Sequence, residues 1–229
     1  MKTLQQNSTG ISVRPLRPRA TRPALWFAVS LFAIFLITLI SPEEKVLGAN
    51  ARIVYLHGVW VWAALAAFTA AAATGLIGLV YRHDALHAWS RALGRTGLFF
   101  WITYLPISMW AMQTSWNGLY LAEPRFRLAV IFSVVGLLLQ VGLTLINRLA
   151  WNSAGNLGYV IVLFVALRST QNVMHPPSPI LNSDAPRIQL YFMILFATTL
   201  LAAWQVARWW YEKEPLPEHA TTAKHRSAH

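Results

Sequence analysis

Six stretches dominated by apolar side chains, at residues 24–40, 53–80, 97–112, 128–146, 157–167 and 190–207, constrain this chain more than any other feature. A helix needs about 20 such residues to cross a bilayer. A helix also satisfies its own backbone hydrogen bonds, as any segment in hydrocarbon must. Only 12% of the residues are charged and 56% are hydrophobic, whereas a soluble domain carries about 25% charge. The sequence therefore predicts an all-α, polytopic integral membrane bundle of six transmembrane helices over residues 23–211. The polar, basic residues 1–22 and the polar residues 212–229 read as disordered tails. A cleaved signal peptide is the rival reading of the first run, and the basic segment before it is long for one.

The runs are unequal. The second holds 28 residues and would reach about 42 Å, beyond the roughly 30 Å hydrocarbon core. With Val80 at the inner boundary, His57 projects about one turn past the outer one, at the junction of helix and loop. Ala66, Ala70, Thr74 and Gly78 form a four-residue stripe expected to let a neighbouring helix approach closely. The fifth run spans only if Asn152, Ser153, Asn156 or Ser169 lies in an interfacial layer. The sixth ends in Arg208-Trp209-Trp210-Tyr211, an aromatic and basic interfacial anchor.

Orientation follows from the basic residues. Thirteen of the nineteen Lys and Arg fall in residues 1–22, 81–96, 147–156 and the C-terminal tail, and six fall in the alternate loops. The richer side is cytoplasmic, so both termini face inward. The net charge of +11 is explained by this asymmetry and by anionic lipid, with no soluble basic domain to suggest nucleic acid. Cysteine is absent, which excludes disulfides, thiolate metal sites and covalent haem attachment.

On this topology three segments share the outer face. They are Arg52-Ile53-Val54-Tyr55-Leu56-His57, the loop 116–125 with Trp116, Tyr120, Glu123 and Arg125, and Asn172-Val173-Met174-His175-Pro176-Pro177. Imidazole is a common axial ligand of haem iron. A porphyrin face favours aromatic surface, and propionates favour Arg. His57 and His175 are thus candidate metal ligands to a non-covalent b-type haem. Trp60, Trp62, Trp110, Trp116 and Tyr120 are candidate stacking partners, and Arg52, Arg125, Arg127 and Arg187 candidate propionate partners. Failing a propionate, Arg125 or Arg127 is expected to pair with Glu123. The alternative is that each His is an interfacial or capping residue, since aromatic belts line every membrane surface. His83, His87, His219, His225 and His229 fall on the inner side and read as solvated.

Gly48, Arg52, Ile53, Tyr55, His57 and Trp62 fall in register with the segment G-x-x-x-R-I-x-Y-x-H-V-P-x-A-W of CcmC-type haem-handling proteins of cytochrome c maturation. Gly58-Val59 stands where that family has Val-Pro. Trp116 and Arg125 resemble the ends of its tryptophan-rich outer loop, W-G-T-W-W-x-W-D-x-R. There Tyr120 and Glu123 replace a Trp and the Asp, and Leu119 and Ala122 stand where Trp is expected. Asn172, Met174, His175 and Pro177 resemble its second histidine segment, W-W-N-T-L-H-Q-P. The resemblance covers roughly residues 48–210. It implies a multi-pass protein of the bacterial cytoplasmic (inner) membrane that holds haem at the outer, periplasmic face between two His ligands. It further implies haem transfer to a periplasmic haem chaperone, with the subunits of an ABC-type transporter as partners.

Two other classes stay open: a b-type cytochrome subunit for electron transfer, and a cofactor-free structural subunit of an export complex. Histidines at outer helix ends argue against the former, which would bury them within helices. The outer acids Glu43, Glu44, Glu123 and Asp184 show no spacing suited to acid–base catalysis, and no nucleotide-binding motif is present. The expectation is a haem transport or chaperone subunit and not an enzyme.

Overall fold

Among the described residues, three other than glycine have positive φ and punctuate the chain: Arg82 (52°), Asn117 (54°) and Asn147 (50°). Each ends a helix in the left-handed region and lets the next element turn back. Asn tolerates that conformation better than most residues. Arg82 holds it with its own N–H and that of His83 both donated to the Gly78 carbonyl.

The structure, a computed structural model, describes residues 21–171, 180 and 184–214. It contains six helices in chain order: α1 (Thr21–Leu39), α2 (Ala51–Tyr81), α3 (Asp84–Trp116), α4 (Pro124–Ile146), α5 (Leu149–Ser169) and α6 (Pro186–Lys213). Among the described residues the only non-helical pairing is an isolated bridge between Glu44 and Gly48. The helices alternate in direction. At one end lie the short turns 82–83 and 147–148; at the other lie the longer connections 40–50 and 117–123, with residues 170–171 after α5 and 184–185 before α6.

Five helices, all but α3, are long and apolar enough to cross a membrane. Their outer surfaces carry exposed Trp26, Phe32 and Phe35 on α1, Leu138 on α4 and Val165 on α5. Water would not favour so much exposed apolar area, and a bilayer accounts for it. The exception, α3, opens with a polar third bearing His87, Arg91 and Arg95. Residues 84–96, expected as part of a loop, are helical and continue straight into the apolar run that follows.

α2 and α3 form the centre as an antiparallel pair. A Cβ on Gly97 would lie 2.5 Å from Phe68 Cδ1, and one on Gly78 2.9 Å from His87 Nδ1, so these glycines are what allow the two backbones to approach. Ser90 Oγ donates to the Ala71 carbonyl at 2.8 Å across the same contact. The expected stripe is corrected here. Of Ala66, Ala70, Thr74 and Gly78 only Gly78 is buried, while Ala64, Ala67, Ala71 and Gly75 are. A straight helix repeats every 3.6 residues, so a face drawn at strict spacings of four drifts off the real contact. α5 packs against α2 and α3, α4 against α3 and α5, and α1 chiefly against α6.

Asn152, Ser153 and Asn156 are at most 3% exposed, while Ser169 is exposed at the far end of α5. α5 spans residues 149–169 because the first three turn inward and find partners. Asn156 Nδ2 donates to the Ser90 carbonyl at 2.8 Å and Gln140 Nε2 to Asn156 Oδ1 at 2.9 Å.

Candidate functional site

Asn50 Nδ2 donates to the Thr114 carbonyl at 3.1 Å, which sets the start of α2 level with the end of α3. His57 is seven residues beyond Asn50, so it lies about 10 Å down the helix. This corrects the placement of His57 at a helix–loop junction: it sits in the second turn of α2, half-buried. Its ring packs on Tyr104 of α3 with centroids 5.6 Å apart and planes inclined by 56°. Tyr104 in turn meets the edge of Trp101 at 5.2 Å, and Trp101 is anchored by its Nε1–H on the Ala129 carbonyl at 3.1 Å. Pro106 interrupts α3 two residues past Tyr104. It has no N–H to donate to the carbonyl one turn back, and α3 continues through it unbroken to Trp116.

α5 supplies the other wall. A Cβ on Gly75 would lie 3.2 Å from Ser153 Cα, which marks those two positions as level. Eighteen residues separate Gly75 from His57, and eighteen separate Ser153 from Gln171. The antiparallel register therefore brings the end of α5 level with the His57 imidazole. His175 lies four residues further, outside the described residues.

The aromatic platform stands higher. Trp116 closes α3, and Tyr120 meets it edge to face at 5.8 Å and 78°; Tyr120 is 44% exposed. Along the bundle axis the platform lies roughly 13 Å from His57, counted at 1.5 Å per residue. A porphyrin is about as broad as a helix, about 10–12 Å. Only a flat ligand standing along the axis can approach both; one lying parallel to the membrane plane cannot.

Arg125 is half-buried in the first turn of α4 and makes no ion pair among the described residues. The expected pairing with Glu123 is overturned. Glu123 is the α4 N-cap, 5% exposed, and its Oε2 accepts the Phe126 N–H at 2.7 Å. Capping satisfies an orphan donor at a helix start without a long side chain being ordered, so it wins over a surface ion pair. Its Oε1 is buried and has no hydrogen-bond partner among the described residues. Arg52 Nε and the Tyr55 hydroxyl are buried in the same unpartnered way at this end. Buried unsatisfied donors are costly, and an Arg donor of this kind fits an anionic ligand edge.

Trp62 is 39% exposed, about 140° around α2 from His57. Trp60 is buried and donates to Thr103 Oγ1 at 2.9 Å, so its polar atom belongs to the α2–α3 contact. The described residues hold no cluster of three or more metal-ligating side chains. Of the two candidate axial ligands, His57 lies among the described residues and His175 outside them.

A second polar centre, at the short-turn end, escaped the sequence reading. His87 is 5% exposed rather than solvated, and its Nδ1 lies 2.7 Å from Ser153 Oγ. Arg91 Nε donates to Asn152 Oδ1 at 3.1 Å, and its Nη1 pairs with Glu214 at 2.8 Å. Arg95 shares the same carboxylate at 2.8 Å and lies over the Trp210 ring at 5.1 Å. His87, Arg91 and Arg95 recur every four residues, and Asn152 and Asn156 likewise; that polar spacing was the available signal. No family model matches this chain, and no curated protein matches it.

Proposed function

We propose that this chain is a haem-binding membrane subunit that presents or transfers haem at its long-loop end. His57 and His175 would be the axial ligands, and Trp116, Tyr120 and Arg125 would serve the porphyrin and a propionate. The observation that carries the reading is the half-buried His57 imidazole, level with the end of α5 from which the His175 segment departs. Four residues of chain reach at most about 14 Å, enough to bring a second imidazole to the same iron. The unpartnered Arg52 Nε and the Arg125 guanidinium without an ion pair supply positive charge for an acidic ligand edge. Haem is here a cargo, and the protein supplies ligation, orientation and shelter from water. The CcmC-type motifs extend the proposal to cytochrome c maturation in the bacterial inner membrane. On that reading the site faces the periplasm, and the partners are ABC-type transporter subunits and a periplasmic haem chaperone.

The depth of His57 gives the b-type cytochrome reading a specific footing, since an imidazole two turns inside a helix suits a buried haem. Transfer separates the two. Detergent-purified full-length protein should carry a six-coordinate haem spectrum and lose it to a soluble haem-free acceptor. His57→Ala and His175→Ala should each leave five-coordinate or depleted haem and stop transfer. Retention of the wild-type spectrum by both variants would remove the ligand assignment. A normal spectrum without transfer would favour electron transfer.

A further inference from the structure

The short-turn end holds a polar cleft that haem ligation does not use. It measures about 670 Å3 and opens between the α2–α3 and α4–α5 turns, with Arg82, Asp84, His87, Arg91, Asn147 and Arg148 on its walls. That volume falls in the range of small-ligand sites. Arg91 is fixed in the wall by Asn152, by Glu214 and, at 3.5 Å, by Asn147 Oδ1. Glu214 neutralises one charge but serves two guanidiniums, those of Arg91 and Arg95. Arg82 and Arg148 are exposed and make no ion pair among the described residues. The walls thus offer three guanidiniums, those of Arg82, Arg91 and Arg148, against the Asp84 carboxylate, and positive charge stays in excess with Glu214 paired to Arg91. Both turns are short and closed by the left-handed residues Arg82 and Asn147, which places the two free arginines at fixed points on the rim.

We propose that this cleft binds a phosphate group, and that its source is the headgroup of an anionic phospholipid. Guanidinium groups match phosphate oxygens in bidentate geometry, and basic pockets between membrane helices hold acidic headgroups. The lipid source is favoured by the apolar continuation of the site. Leu79 and Leu149 line the cleft, and Val80, Leu145 and Ile146 are exposed at the same end, where acyl chains would lie.

The test uses full-length protein and measures retained lipid by native mass spectrometry after exchange into phosphatidylcholine or phosphatidylglycerol. Phosphatidylglycerol should be retained selectively. Arg82→Gln/Arg148→Gln should weaken that retention by roughly ten- to thirtyfold, and Arg82→Lys/Arg148→Lys should restore part of it. Lys45→Gln/Arg168→Gln, which removes equal charge from the opposite end, should leave it unchanged. Displacement of phosphatidylglycerol by inorganic phosphate, sensitive to the same double substitution, would keep the phosphate site but overturn its lipid source. Equal retention of the two lipids, or equal loss from both charge-removing pairs, overturns the site itself.

Discussion

Glu44 shows how a single carboxylate organises the loop that leads into α2. It accepts the N–H groups of Val46 at 2.8 Å and Leu47 at 2.9 Å, while its carbonyl accepts the Gly48 N–H at 2.7 Å. The Leu47 and then the Val46 backbone N–H hold its carboxyl below the usual value of 4.5. A depressed folded value means the loop gains stability above the unfolded value and loses it as pH falls through the folded one. Amide exchange at Val46 and Leu47, corrected for intrinsic rates, should therefore quicken as pH drops below 4.5, and Glu44→Gln should show the faster exchange at neutral pH. Exchange that ignores both changes would show that the loop is held by something else. Gly48 closes this turn at φ +54°, a region that an L side chain enters only at a cost. That is a local reason for the glycine at the head of the His57 motif. The motif residues were legible one by one, but His57's depth was not, because a sequence does not say where a helix begins inside a run of apolar and polar residues.

α3 is where pattern reading succeeded in kind and failed in extent. Its apolar stretch was evident, yet its first thirteen residues looked like a charged loop because charge was equated with solvent. Charged residues can sit inside a bundle when they are paired and hydrogen-bonded, and His87, Arg91 and Arg95 repeat at helical spacing toward α5 and α6. The same oversight shortened α5, whose Asn152 and Asn156 face α3 and not an aqueous layer. Arg91 and Glu214 side chains are 5% and 6% exposed, and breaking such a pair strands a buried charge at about 3–5 kcal/mol. Glu214→Ala should thus lower the unfolding temperature of the purified protein and expose the end of α6 to protease. Glu214→Gln should do less harm, since it can still accept hydrogen bonds from one guanidinium. An alanine variant that unfolds with the wild type would mean the pair is solvated in the membrane and contributes little.

At the scale of the molecule, six alternating helices were readable because each helix contains one apolar run, even where, as in α3 and α5, the run begins inside the helix, and that alternation fixes which connections share an end. Residues 40–50 and 117–123 lie at one end whatever the orientation, as do 170–171 and 184–185, which adjoin α5 and α6. Orientation itself rests on charge. Arg91 is buried and Arg95 half-buried in α3, and both pair with Glu214. Setting them aside still leaves eleven Lys and Arg on the short-turn side against six on the other. The bias that retains basic segments in the cytoplasm depends on cations close to helix ends. Arg82 and Arg148 are both exposed in short turns and meet that condition, as do Arg127, Arg168 and Arg187 at the opposite end, so it is the difference in number that sets the orientation. Reporter fusions after residues 48, 118 and 180 should accordingly all report the outer compartment, and fusions after 83 and 148 the cytoplasm. Reversing the bias should test the cause: Arg82→Glu/Arg148→Glu ought to produce a measurable inverted fraction. A cytoplasmic signal from any of the first three fusions would separate the His57, Trp116 and His175 segments across the membrane, and a single haem could not be shared among them.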